Sequence, residues 1–152
     1  MSTRKLILLA LACGLAILLA GSIQLLRIKD NDAATLAEGD STELSTATAS
    51  VLSSEVRDGG VWVTVRLAQA PAATATIDDA LTGWSFLTGG LQQPVAATGV
   101  VADGITSCAG LAVAPGAVVE CTLKFAATPT TRGSSVVTFV FVGRRATWSI
   151  VV

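Results

Sequence analysis

The stretch that decides the fold is VWVTVRL, residues 61–67. Val61, Val63, Val65 and Leu67 fall on one side of an extended chain and Trp62, Thr64 and Arg66 on the other, the period-two pattern of a strand with one face buried. The pattern returns twice towards the C-terminus. Cys121, Leu123 and Phe125 alternate with Glu120, Thr122 and Lys124; Ala146, Trp148, Ile150 and Val152 alternate with Thr147, Ser149 and Val151. Between these two lies VVTFVFV, residues 136–142, apolar on both faces, which predicts a strand central to its sheet or one whose second face is covered. Gly143-Arg144 then supplies a tight reversal.

Residues 51–57, 84–87 and 95–101 supply further strands. Asp58-Gly59-Gly60, Thr88-Gly89-Gly90 and Thr131-Arg132-Gly133 supply turns whose glycines tolerate positive φ. Ile77-Asp78-Asp79-Ala80-Leu81 fits one helical turn or a solvated loop. About seven short strands with frequent turns and no long helical period predict an all-β antiparallel sandwich over residues 51–152.

CAGLAVAPGAVVEC, residues 108–121, joins two of these segments. Pro115-Gly116 provides the bend, and Cys121 lies on the inward face of the following strand. The wide spacing, with no third ligand type nearby, favours a structural Cys108–Cys121 disulfide over a metal or redox pair; closing such a loop is worth roughly 3 kcal/mol in the chain-entropy model. Disulfides persist in oxidising compartments, so this part of the chain is expected outside the cytoplasm.

Ahead of the β region, residues 6–26 read LILLALACGLAILLAGSIQLL, without a charge. At a rise of ~1.5 Å per residue such a helix spans roughly 30 Å, the thickness of a bilayer core. This predicts a transmembrane anchor in contact with lipid, with residues 1–5 cytoplasmic. A cleaved signal peptide is the competing reading, with Ala20-Gly21-Ser22 as its small-residue site; the run is long for one. Cys13 follows Ala10-Leu11-Ala12, a degenerate match to a lipid-attachment motif. Its alternative is a thiol in the membrane. Residues 27–50, rich in Ser, Thr, Ala and acids, read as a flexible stalk.

The 152 residues are 51% hydrophobic and 14% charged, with no His and no Tyr. Without imidazole, common acid–base and zinc designs are excluded, and a nucleophile would depend on Lys124, which the alternation turns outward. No enzyme activity, cofactor or metal is expected. Beyond the four basic residues flanking the apolar run, six basic face eleven acidic residues, a net of −5; nucleic acid is not an expected partner.

The strand GGVWVTVRL, Trp84, and the run Leu111-Ala-Val-Ala-Pro115-Gly116 with the strand ending Phe125-Ala-Ala-Thr-Pro129 resemble the immunoglobulin-like, telokin-like extracellular domains of actinobacterial secreted antigens and lipoproteins. The resemblance covers about residues 55–150. It implies secretion and an immunoglobulin-like sandwich, and transfers no catalytic residue. Residues 68–70, Ala-Gln-Ala, depart from the polar Asn usual after the first long strand.

The sequence thus predicts a single-pass membrane protein with an extracytoplasmic binding module. Its alternatives are an accessory subunit of a cell-envelope complex, partnered by an envelope protein, or a secreted protein released by signal cleavage. Trp62 and Arg66, both off the valine face, form the candidate partner patch.

Overall fold

The computed structural model describes residues 13–14, 35–89, 91–94, 106–126 and 135–151. Cys13 and Gly14 are helical; the rest of the expected anchor, residues 27–34 and the expected strand over 95–101 lie outside the described residues. Among the described residues no helix is long and apolar enough to cross a membrane. Residues 34–152 form one compact unit.

Among the described residues eight strands build that unit: β1 (Ser41–Leu44), β2 (Ala47–Arg57), β3 (Gly60–Gln69), β4 (Trp84–Thr88), β5 (Leu91–Pro94), β6 (Val118–Phe125), β7 (Ser135–Phe141) and β8 (Arg144–Ile150). They form two four-stranded sheets, β1-β2-β3-β6 and β5-β4-β7-β8, antiparallel throughout. The all-β sandwich expected from the alternation is present. Val61, Val63, Val65 and Leu67 are fully buried, each worth roughly 1.5–3 kcal/mol of transfer free energy. Facing them across the core stand Trp84, Phe86, Val137, Phe139 and Trp148. Phe86 of β4 and Phe125 of β6 meet between the sheets with ring centroids 5.3 Å apart.

Residues 41–50 correct the expected stalk. They form β1 and the start of β2, with Leu44 buried at the end of β1 and Ala47, Ala49 and Val51 buried in period two along β2. Their buried apolar side chains are mostly alanine and the residues between them Ser and Thr, with Ser50 itself buried, so the hydropathy contrast is too small to separate a strand from a linker. The β7–β8 reversal also differs by one residue: Phe141 pairs with Arg144, leaving Val142-Gly143 as the two-residue turn. Both turn residues have positive φ, 48° at Val142 and 72° at Gly143, as the twist of a hairpin requires. The 77–81 segment is a turn without a helix.

Among the described residues, flanking segments bridge the β8 and β6 edges. Leu36 runs parallel to β8, its N–H donating to Thr147 O at 2.8 Å and its carbonyl accepting from Ser149 N at 2.8 Å. Trp148 Nε1 donates to Asp40 O at 2.9 Å, holding the same segment. Along β6, Thr122 N donates to Thr106 O and Cys108 N to Thr122 O. The Cys108–Cys121 disulfide, Cα atoms 4.9 Å apart, fastens that cover. Each cover bridges the edge at one position and interrupts its ladder there; the edge strands β1 and β5 have four residues each.

Gly83 and Val142 give the fold two testable positions. Gly83 has φ +92°, and a Cβ there would lie 2.4 Å from Val140 O. Gly83→Ala is expected to lose roughly 2–4 kcal/mol in denaturant unfolding. Gly89→Ala, with positive φ but open space around it, loses about 1 kcal/mol. At Val142, a β-branched residue stands where Asn is the usual choice, so Val142→Asn is expected to stabilise by about 0.5–1 kcal/mol in the same assay.

Candidate functional site

The outer face of β3 and β6 carries the candidate patch. Their register sets Trp62 beside Lys124, Thr64 beside Thr122 and Arg66 beside Glu120. Trp62 is not an exposed anchor: only 5% of it is accessible. The Arg57 guanidinium lies 4.5 Å from its ring centroid and the Lys124 ammonium 4.8 Å, so two cationic side chains cover the indole by cation–π contact and stem packing. Its Nε1 donates to Arg57 O at 3.0 Å, closing the β2–β3 hairpin. Arg57 is itself held by carboxylates, Glu55 and Asp58, each at 3.5 Å. The Asp58 contact is an ion pair without hydrogen-bond geometry, since Arg57 Nε has no hydrogen-bond partner.

Arg66, four residues along the same face, turns to Glu120, with Nε donating to Oε1 at 2.8 Å and a second, Nη2 contact to the same oxygen. Both side chains are about half exposed, 51% each. Trp62 and Arg66 thus share a face, but each is engaged by a cross-strand neighbour. The face as a whole is a polar, paired surface of the kind that stabilises a sheet. Sequence alternation located Trp62 on this face; its cover depends on the strand register, which alternation does not contain.

A second surface gathers at one end of the sandwich. The β1–β2 turn, the β3–β4 connection, the 109–117 segment and the Val142-Gly143 turn all meet there. Ala70 N donates to Thr46 O, Gln69 N to Ala117 O, Gly116 N to Gln69 O and Val140 N to Gly83 O. Ile77 and Val113 exchange both backbone bonds, at 3.0 and 2.8 Å. Asp79 Oδ1 accepts from Leu81 N at 2.9 Å and Gly110 N at 3.0 Å. The Asp78-Asp79 pair therefore splits: Asp79 is a tether between two loops, and Asp78 is exposed. A groove runs between Ile77, Asp78 and Thr82 on one side and Phe141 and Val142 on the other. The β2–β3 turn, Asp58-Gly59, lies at the opposite end.

Among the described residues no group of three or more His, Cys, Asp or Glu side chains is placed to hold a metal ion. Lys124, the remaining candidate for a base, has its ammonium over Trp62.

No protein-family model matches the chain, and no curated protein sequence matches it. Among solved structures, the fold is similar to a Bacillus subtilis protein described as a "putative lipoprotein (ycdA)", with a TM-score of 0.54 at 9% sequence identity. The match covers 73% of this chain and 38% of that one. At this identity the likeness is one of fold.

Substitutions on the outer face separate packing from pairing. Trp62→Ala, which strips the covered indole, is expected to lose about 3 kcal/mol of unfolding free energy, whereas Arg66→Ala, removing half of an exposed pair, shifts it by less than about 1 kcal/mol. Chemical denaturation of both variants checks the difference.

Proposed function

We propose that the chain is a membrane-anchored extracytoplasmic immunoglobulin-like interaction module without catalytic activity, held to the cell membrane by a single pass through residues 6–26. The observation that carries this reading is the buried Cys108–Cys121 disulfide, a bond that persists where the surroundings oxidise thiols. The description of the B. subtilis neighbour as a lipoprotein agrees with an envelope location.

Strand pairing supports the immunoglobulin-like assignment. Taking β2, β3, β4, β5, β6, β7 and β8 as strands A, B, C, C′, E, F and G reproduces the A–B, B–E, C–C′, C–F and F–G pairs of that fold. Trp84 then occupies the buried tryptophan position on strand C. The disulfide differs, joining E to the segment before it rather than B to F, and strand D has no counterpart among the described residues. Kinship with the telokin-like domains of actinobacterial antigens belongs to this proposal and rests on the strand and Pro-Gly turn quoted above. The absence of a catalytic role rests on a sequence without His and on the engagement of Lys124 with Trp62.

Expression of the full chain in a bacterium tests location and anchoring together. The expected result is a membrane fraction that resists alkaline extraction, a sandwich digested by external protease on opened envelopes, and Cys108 and Cys121 that react with maleimide only after reduction. A domain shielded from protease with two free thiols would refute it. Release of a shortened chain into the medium supports the secreted alternative instead.

A further inference from the structure

We propose that the module pairs with a second copy of itself, as a two-fold dimer through the outer face of β4, β7 and β8 centred on Val140. This rests on the interaction-module reading, to which it gives a partner, and it does not depend on the anchor reading of residues 6–26.

Charge distribution sets this face apart. The strands β4, β5, β7 and β8 contain no acidic residue, and their only charges are Arg144 and Arg145 at the start of β8. In the other sheet the cations are engaged within the fold: Arg66 with Glu120, Arg57 with Glu55 and Asp58, and Lys124 over Trp62. Arg145 is exposed and has no ion pair among the described residues, and the same holds for Asp78 in the loop nearby. Asp79 differs, being committed to two backbone N–H groups.

The placing of these two charges points to a copy of the same surface. Arg145 lines a hollow of about 130 Å³ together with Ser85, Leu87, Thr138 and Val140. The register sets the short side chains of Ser85 and Thr138 next to each other, with Leu87 to one side of them and Val140 to the other; Arg145 stands across from Val140. Asp78 lines the groove described above, about 390 Å³, together with Thr82, Phe141, Val142 and again Val140. Val140 is thus the common wall of a cationic hollow and an acidic groove. A two-fold axis passing close to Val140 sets Arg145 of each copy against Asp78 of the other, so that the pair forms twice. An acidic segment from another protein would satisfy Arg145 and be repelled at Asp78, and a basic one the reverse. One cation and one anion on either side of an apolar residue are complementary to themselves.

Val142 adds to this. It is 71% exposed, and its left-handed backbone disfavours a β-branched side chain, so the fold gains little from it. An apolar contact between copies gives it a partner. The sheet is four strands across, roughly 15 Å at the usual strand spacing. The contact is therefore smaller than a standard interface, and the dimer is weak and reversible.

Sedimentation equilibrium of the full chain in mild detergent, over about a thousandfold range of concentration around the micromolar, tests the pairing. The expected result is a monomer–dimer equilibrium. Arg145→Asp or Asp78→Arg alone weakens it at least about tenfold, since each turns two attractive contacts into two repulsive ones. An equimolar mixture of these two variants recovers the dimer, because both contacts then join opposite charges. Val142→Asn, which the turn accommodates, alters the apolar centre without touching a charge and weakens the dimer severalfold. A chain that stays monomeric throughout overturns the proposal. So does a dimer equally tight in every variant, as association through the apolar run 6–26 would give, or a mixture that pairs no better than its components. These outcomes are separate from the protease and maleimide results, which test location.

Discussion

Burial of aromatic rings between two sheets is the constraint on which the remainder of the molecule depends. Trp84 stacks on Phe139 at 4.4 Å and leans on Trp148 at 5.8 Å, so β4, β7 and β8 are fixed against one another by their largest side chains. Both buried indoles also solve a polar problem locally, since Trp84 Nε1 donates to Ala80 O and Trp148 Nε1 to Asp40 O. Each of these bonds pins a connection instead of a strand. The core thereby determines the course of two segments that have little apolar surface of their own.

The division between legible and illegible parts follows from side-chain contrast. Val61, Val63, Val65 and Leu67 stand against Thr64 and Arg66, and β3 could be read directly. The same held for Cys121 to Phe125 and for Ala146 to Ile150, where inward and outward residues differ sharply. Ala47 and Ala49 alternate with Thr48 and Ser50, and the small difference between Ala and Thr made β1 and the first half of β2 look like linker. The strand LQQP, residues 91–94, carries too little apolar character to be recognised; its pairing with β4 is what defines it. The pairing of Cys108 with Cys121 was legible from spacing and from the inward place of Cys121.

The candidate patch was half legible. Alternation put Trp62 and Arg66 on one face, correctly, yet an indole on an outer face is not by that fact available to a partner. Lys124 sits fifty positions and more away in sequence and meets Trp62 only through the β3–β6 register, while Arg57 reaches back over the turn. The paired outer face and the end where the loops gather are therefore different kinds of surface. One spends its polar groups on neighbours within the sheet; the other has its connections tied chiefly through backbone bonds.

The link between Cys108 and Cys121 has a further effect on how the domain responds to proteases. Any single backbone cut between the two sulfurs, including one in the exposed Ala114-Pro115-Gly116 bend, leaves the fragments covalently joined and the strand β6 still attached to its cover. The backbone exchange between Ile77 and Val113 holds the cut loop to a separate part of the chain as well. A nick in this exposed bend is thus not a release, and the sandwich can be clipped there without coming apart.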